Sequence, residues 1–338
     1  EFEIYKYPIT GSMGSVPEFV IKDTTLSDSS FNVDKQAFCY QVIVVDNSPT
    51  SESVSSIKSW ATNLDFIKIP TAFPEIVYPL LPKPLDYRII SESESKNKFY
   101  EEPLLIIKAE KNRGFSAGNN IAIDYALRRE DFDYCWLLNN DTVVEKDSLR
   151  NQIKHIKGNN SSKTGILGSK LIYYNQPEKI QAIGGAFNST LYVSKHIGEG
   201  AYVNSKKEEF GNIDYIVGAS MFVTINFLKD VGSLCEDYFL YYEELDWAYR
   251  GKLKGWKIDW CENSIVYHKE GASIGSSSNP KERTYFSEIN IFKSRKIFFK
   301  KFKKVSFMFW VSSILIILNR VRRFQFKLAY EFLKISIN

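Results

Sequence analysis

Leu104-Leu-Ile-Ile107, followed by Asn112-Arg-Gly-Phe-Ser-Ala-Gly-Asn-Asn120 and a helical pattern over residues 121–128, is the stretch on which the fold turns. A short, wholly apolar run reads as a strand buried on both faces. The glycine-bearing polar segment reads as the turn at its carboxyl end, and the periodic run beyond it as a helix. The same order occurs twice more. Upstream, Gln41-Val-Ile-Val-Val45 ends at Asp46-Asn47-Ser48-Pro49 and leads to a helix over 51–61, with Ser51 or Ser53 as its cap. Downstream, Tyr134-Cys-Trp-Leu-Leu138 leads through Asn139-Asn140-Asp141 to a helix near 146–156. Three such units predict an α/β fold on a mostly parallel, doubly wound sheet with helices on both faces. Its ligand crevice should lie beyond the carboxyl ends of the strands. Residues 62–102, rich in Pro, Ser and charge, read as an irregular insertion.

The 338 residues, 44% apolar, allow one large core and an appendage. A net charge of +4 is low for a nucleic-acid binder of this size, so no nucleic-acid partner is expected. Cys39, Cys135, Cys235 and Cys261 lie far apart with no CxxC pair. They suggest neither a zinc knuckle nor a disulfide framework, but reduced thiols in a cytoplasmic chain. The N-terminus lacks the basic flank and apolar run of a secretory signal. Residues 1–15, with Gly-Ser-Met-Gly-Ser at 11–15, read as an expression-tag remnant. That leaves a main domain over 16–280 and a helical region over 281–338.

The polar turns carry the chemistry. Asp46, directly after a buried strand, can accept hydrogen bonds from a base or ribose, or simply form a turn. Gly114 and Gly118 flank Phe115 and suit close backbone approach to a phosphate or sugar, with Arg113 supplying charge. Asp141 ends an apolar strand and could hold a hard divalent cation together with a diphosphate, or cap a helix; Asn140 beside it falls on the donor side. Further on, Glu243, Glu244 and Asp246 crowd three carboxylates into four positions behind an aromatic run. Like charges so close repel unless a metal, a cation or a shared proton relieves them. The competing reading is an acidic helix start, with Asp246 paired to Arg250 four residues on.

Taken together, these stretches resemble the family 2 glycosyltransferases of the GT-A type, in their bacterial rhamnosyltransferase-like branch. The resemblance is carried by Val42-Ile-Val-Val-Asp-Asn-Ser48, Asn112 to Asn120, Trp136-Leu-Leu-Asn-Asn-Asp-Thr-Val-Val144 and Gly184-Gly185. It continues through Val217-Gly-Ala-Ser-Met221, Tyr238 to Arg250, Gly255-Trp256 and Val266-Tyr-His-Lys-Glu-Gly-Ala-Ser273. It implies that Asp46 contacts the nucleotide and that Asn112, Gly114 and Asn120 line the donor pocket. Asp141 matches the last acid of a metal-binding triplet, and His268 completes the metal and diphosphate site. Glu244 stands where the family usually has the Asp of its Glu-Asp pair, the catalytic base. Gly218, Ala219, Ser220 and Trp247 fall on the donor or acceptor side. The family's first apolar strand, central in its sheet, has only Phe19-Val-Ile21 as a candidate.

The resemblance implies inverting transfer of a sugar, by implication L-rhamnose from dTDP-L-rhamnose, with magnesium or manganese, to a glycan or lipid-linked acceptor in bacterial surface polysaccharide synthesis. Glu243 and Asp246 would support the base by raising its pKa or orienting its helix. Residues Val305 to Leu318 form an apolar, aromatic stretch flanked by Lys300, Lys301, Lys303 and Lys304 and by Arg320, Arg322, Arg323 and Lys327. It is shorter than the roughly 20 residues of a membrane span. An interfacial helix at the inner face of the plasma membrane fits, with Phe307, Phe309 and Trp310 in the acyl boundary. A helix packed on the main domain or in a homodimer interface is the alternative. Two further readings stay open: a sugar nucleotidylyltransferase, whose Gly-rich basic N-terminal loop is missing, and a non-catalytic assembly partner.

Overall fold

The computed structural model describes residues 15–23, 38–62, 71–78, 82–158, 163–269, 283–302 and 307–337, with 15–23 and 38 as backbone only. The first half of the chain runs β1 (Ser15–Asp23), β2 (Phe38–Asp46), α1 (Glu52–Thr62), α2 (Pro74–Val77), β3 (Tyr87–Ser91), α3 (Glu92–Ser95), β4 (Leu104–Lys108), α4 (Phe115–Arg129), β5 (Tyr134–Leu138), β6 (Thr142–Val144) and α5 (Ser148–Gly158). The second half runs β7 (Thr164–Tyr173), β8 (Gln176–Ala182), β9 (Gly184–Asn188), β10 (Val193–Ile197), β11 (Ser220–Thr224), α6 (Ile225–Val231), α7 (Glu243–Leu253), β12 (Lys257–His268), α8 (Tyr285–Phe302), α9 (Phe307–Arg322) and α10 (Phe326–Ile337).

The main sheet has the order β3-β4-β2-β1-β5-β11-β7-β12-β6, with β8 on β7; β9 and β10 form a separate ribbon. The sheet is mixed, which corrects the mostly parallel expectation. Parallel pairing is confined to β3–β4, β2–β4 and β7–β12, and the other pairs are antiparallel. The reason is connectivity. Parallel neighbours need a crossover, whereas β8 follows β7 after the two residues Tyr174 and Asn175, and β6 folds back onto β12. Even so, β2, β3, β4, β5, β7 and β12 share one direction, so Asp46, Leu138 and His268 end their strands along one edge. The central place between β2 and β5 is taken by β1, antiparallel to both.

Alternation along the strands explains why helices cover both faces. Ile43, Val45, Leu105, Ile107 and Leu137 face α4 and the Phe227–Trp247 region, while Val42, Val44, Leu104, Ile106 and Trp136 face Val54 and Ala61 of α1 and Ile153 of α5. Helix α4 begins at Phe115, six residues before the expected start at 121, so Gly118 and Asn120 lie inside its first turns rather than in a loop. The expected irregular insertion contributes β3, a parallel edge strand on β4. The C-terminal region is built of α8, α9 and α10, and among the described residues no helix is long and apolar enough to cross a membrane.

Candidate active site

Helix α7 starts with Glu243, Glu244 and Asp246 in its first turn and ends with Arg250 and Lys252, so its charges oppose the helix dipole at both ends. The chain enters it through Tyr241 and Tyr242, both left-handed at φ 68° and 72°. Two successive non-glycine residues in that region carry backbone strain of roughly 1–3 kcal/mol each, a cost that clusters at functional sites. Packing holds them there: the Tyr242 hydroxyl donates to Tyr192 O at 3.1 Å, in a cluster with Tyr238 and Phe298.

The three carboxylates have different fates. Asp246 is fully buried and fully used. It accepts from Arg250 Nε (2.6 Å), Lys301 Nζ (2.7 Å) and the Tyr238 hydroxyl (3.1 Å). It is therefore a structural tie from α7 to α8, and the expected pairing with Arg250 is present. Glu243 and Glu244 are the reverse, each with a buried Oε2 that has no hydrogen-bond partner. Burial pushes the Glu244 carboxyl up from its ordinary 4.5 to about 7. Burial, and then the charge of Glu244, push Glu243 well above its ordinary range.

A cavity of about 380 Å³ opens onto this pair, and Asn139, Gly218, Ala219 and His268 from the sheet edge line it too. Here the Nδ1 of His268, a residue 9% exposed, lies 2.9 Å from Gln181 Oε1 on β8. Gln181 Oε1 can only accept, so Nδ1 carries the hydrogen and Nε2 is left for a second proton or a cation. That nitrogen lies 3.1 Å from Asp141 Oδ1 and 3.5 Å from Asn139 Nδ2. Burial alone would raise the Asp141 carboxyl, but the imidazole, when protonated at Nε2, outweighs it and holds the group below its ordinary range. An oxygen and a nitrogen bound at right angles to one ion at about 2.1 Å would stand about 3 Å apart, so this pair fits a divalent cation. Gln181 supplies the outer hydrogen bond that metal-bound histidines usually make. Among the described residues no group of three His, Cys, Asp or Glu converges on one point, so the remaining ligands would come from substrate and water.

The other expected site residues fall elsewhere. Asp46 is fully enclosed at the end of β2, with Oδ1 accepting from Ser48 N (3.1 Å) and Oδ2 without a partner. Asn112 Oδ1 accepts from Gly114 N (2.9 Å) in a local turn. Gly114 has φ 97°, and a Cβ there would sit 2.3 Å from Phe239 O, so this glycine lets α4 start against the loop leading to Glu243. A Cβ on Gly118 would sit 2.2 Å from Asn47 Nδ2, which places that glycine against the turn after β2.

Four further expected residues already have partners within the chain. Arg113 is paired with Glu92 (2.8 Å) and Glu236 (3.5 Å). Asn120 spends its amide on Leu234 N and O and Glu236, tying α4 to the loop after α6. Ser220 is 1% exposed and bonded to Trp136 Nε1 and Ser169 Oγ. Trp247 is fully buried, with Nε1 on Gly232 O (2.8 Å) and its ring against Phe227. Asn120, Ser220 and Trp247 are buried in these contacts, whereas Arg113 keeps 34% of its side chain exposed. Asn140 is buried and does not line the cavity.

Sequence reading missed Gln181, Tyr215, Glu288, Arg295 and Arg320, all of which line the cavity. Only Tyr215 had a signal. The Gly184-Gly185 pair makes room for it, since a Cβ on Gly185 would lie 2.1 Å from the Tyr215 ring.

No family model matches the chain. It is 25% identical over 182 residues to the low-salt glycan biosynthesis hexosyltransferase Agl10 of Haloferax volcanii, a match covering 53% of this chain and 56% of that protein. The chain thus spans about half the length of the curated relative it matches. Among solved structures it is similar to a mannosyltransferase, PcManGT of Pyrobaculum calidifontis, in complex with GDP-Man and Mn2+ (12% identity, TM-score 0.42, covering 88% of this chain and 66% of that one). It is also similar to GalNAc-T7 with UDP, GalNAc and Mn2+ (13% identity, TM-score 0.40, 58% of this chain and 37% of that one). Over those 182 residues, the chain is related to a glycosyltransferase of glycan biosynthesis.

Proposed function

We propose that this chain is a metal-dependent, inverting glycosyltransferase of family 2 and GT-A type. It would move a sugar, L-rhamnose from dTDP-L-rhamnose, to a hydroxyl of a glycan or lipid-linked acceptor in bacterial surface polysaccharide synthesis. The observation that carries this reading is one cavity shared by the Glu243–Glu244 pair, each with a buried Oε2 that has no partner, and by His268 beside Asp141. The donor sugar comes from the sequence resemblance alone.

In this reading Glu244 takes the proton of the acceptor hydroxyl as that oxygen bonds to the anomeric carbon. The bond from that carbon to the nucleoside diphosphate breaks on the opposite face. A carboxyl near pH 7 suits the task, being ionised in working conditions yet basic enough to accept a proton. Burial and the charge of Glu244 push Glu243 well above its ordinary range too, so the two carboxyls favour holding one proton between them. Asp141 and His268 would hold a magnesium or manganese ion, which supplies Lewis-acid neutralisation of the departing diphosphate. Gly218 and Ala219 line the cavity beside them, and Asp46, whose buried Oδ2 has no partner at the end of β2, would contact the nucleotide.

The membrane reading rests on α9 and α10. Phe307, Ile314, Leu315, Leu318, Phe326 and Leu333 are exposed at 48–79%, beside exposed Arg322, Arg323 and Lys327. That pattern suits the inner face of a bacterial plasma membrane. Three of the residues expected there are not available: Phe309 stacks on Phe299 in the interior, Arg320 is buried in an ion pair, and Lys301 is paired with Asp246. Lys303, Lys304 and Val305 lie outside the described residues.

A panel of nucleotide sugars with magnesium or manganese, assayed for transfer and donor hydrolysis, tests the proposal. Turnover of one donor, lost in Glu244→Gln with donor binding kept, is the expected result; an unchanged rate in that variant would overturn the base assignment.

A further inference from the structure

The helical wall of the cavity carries charge for which the transfer step has no use. Glu288 on α8 and Arg320 on α9 form an ion pair with Oε2 and Nη2 2.7 Å apart, and they are only 6% and 8% exposed. The pair is incompletely satisfied, because Glu288 Oε1 and Arg320 Nε are buried without hydrogen-bond partners. Arg320 Nη1 turns away to Gln325 Oε1 at 3.2 Å. Arg295 on α8, 2% exposed, is anchored by neutral groups: Tyr192 O (3.0 Å), Leu191 O (3.3 Å), Ser313 Oγ (2.8 Å) and Ser312 Oγ. Arg283, just before α8, lines the same cavity. Among the described residues, α8 and α9 contribute two guanidinium groups to the cavity lining, Arg295 and Arg320, against the single carboxylate of Glu288. Buried cations in excess of their partners are costly and are relieved by an anion that enters between them.

We propose that this wall is an acceptor subsite for phosphate: Arg320, with Arg295 and Arg283 around it, binds a phosphate group carried by the acceptor while the acceptor's hydroxyl faces Glu244. The inference rests on the glycosyl-transfer reading and names the acceptor class for it. Arginine suits the task because its planar donors match phosphate oxygens and its charge shortens and strengthens those bonds. Arg320 Nε offers an uncommitted N–H, and Glu288 Oε1 is left to accept a hydroxyl of the same acceptor. Phe292, Ile316 and Phe332 line the cavity on the same helices, so the group next to the phosphate meets an apolar surface. The phosphate could belong to a lipid-linked glycan or to a soluble sugar phosphate, and the experiment separates the two.

Calorimetric titration of the full chain with a short isoprenyl phosphate, a hexose 1-phosphate, the dephosphorylated form of each, and inorganic phosphate provides the test. At least one phosphorylated ligand should bind about tenfold or more tightly than its dephosphorylated form, equivalent to one charge-assisted contact. Tighter binding of the isoprenyl phosphate assigns the group to a lipid, and tighter binding of the hexose phosphate to a soluble acceptor. The preference should fall to near unity in the double variant Glu288→Gln/Arg320→Gln, which strands neither charge. Equal binding of phosphorylated and dephosphorylated ligands by the wild type overturns the subsite. So does a preference that survives in the double variant, or binding of inorganic phosphate alone. Nucleotide-sugar binding, measured in the same samples, keeps the two ideas apart: its loss from the wild type would sink the transferase reading, whereas its retention without a phosphate preference sinks only the subsite.

Discussion

At the residue scale, Glu244 links activity and stability in opposite senses. As a base it works deprotonated, so kcat/KM should rise with pH through about 7 and level off above. Glu244→Gln should lower kcat by about 10²–10⁴ with donor affinity unchanged, as steady-state kinetics and donor titration would show. The stability sign is the reverse. A carboxyl raised from 4.5 to about 7 keeps its proton in the folded state where the unfolded chain has lost it. Its contribution is fully present below pH 4.5 and is lost as pH rises through about 7. Glu244→Gln should therefore melt higher than wild type at pH 8, by roughly 1–3 kcal/mol after allowing for coupling to Glu243. Chemical denaturation at pH 5 and pH 8 checks this: the difference should shrink at the lower pH. The crowding of carboxylates at 243–246 was visible in sequence, but not their division of labour. Asp246 is set apart from Glu244 by Lys301, Arg250 and Tyr238, of which Lys301 comes from a distant segment. Gln181 carried no local sign at all, because its role exists only once β8 lies beside the end of β12.

At the element scale, strands were legible and their directions were not. Apolar runs at 42–45, 104–107 and 134–138 mark buried strands wherever they pair, so β2, β4 and β5 fall where periodicity put them. Direction depends on which strands intervene, and β1 and β11 lie between strands that would otherwise be neighbours. The early start of α4 had a similar cause. Gly114 looked like a loop glycine, but its positive φ and the Phe239 carbonyl packed against it make it the junction between α4 and the approach to α7. Gly114→Ala should cost roughly 2 kcal/mol or more by urea unfolding and should depress transfer, since the 2.3 Å approach would push the 239–242 segment away. On α9, Leu315→Glu/Leu318→Glu changes two residues that are each 55% exposed. It should leave the melting transition within about 0.5 kcal/mol of wild type. Sedimentation with anionic vesicles should drop about tenfold or more, and equal sedimentation would remove the membrane assignment of this face.

At the scale of the whole molecule, α8 is bound into the main domain. Lys301 neutralises Asp246, Ser294 Oγ donates to Leu240 O at 2.8 Å, and Phe298 is buried in the Tyr238–Tyr242 cluster. Lys301→Met should cost about 2 kcal/mol in equilibrium unfolding, because Asp246 would keep only Arg250 against a buried charge. Chelator treatment should abolish transfer, and added manganese should restore it, if Asp141 and His268 hold the ion as proposed. The middle of the sheet contains one more device. Ser169 on β7 bonds through its hydroxyl to Ser220 on β11 and Ser264 on β12, each at 2.9 Å; Trp136 Nε1 on β5 and Gln152 Nε2 on α5 donate into the same chain. Residues 262–264 bulge out of the β7–β12 ladder at this point, between the pairs Cys261–Ser169 and Ile265–Lys170. Apolar contacts would tolerate a strand sliding along its neighbour, whereas hydroxyls with one hydrogen each do not. The four strands are thereby clamped in phase, and Asn139, Ala219 and His268, between one and four residues from the clamp, inherit the alignment it sets, as the teeth of a comb take their spacing from its spine.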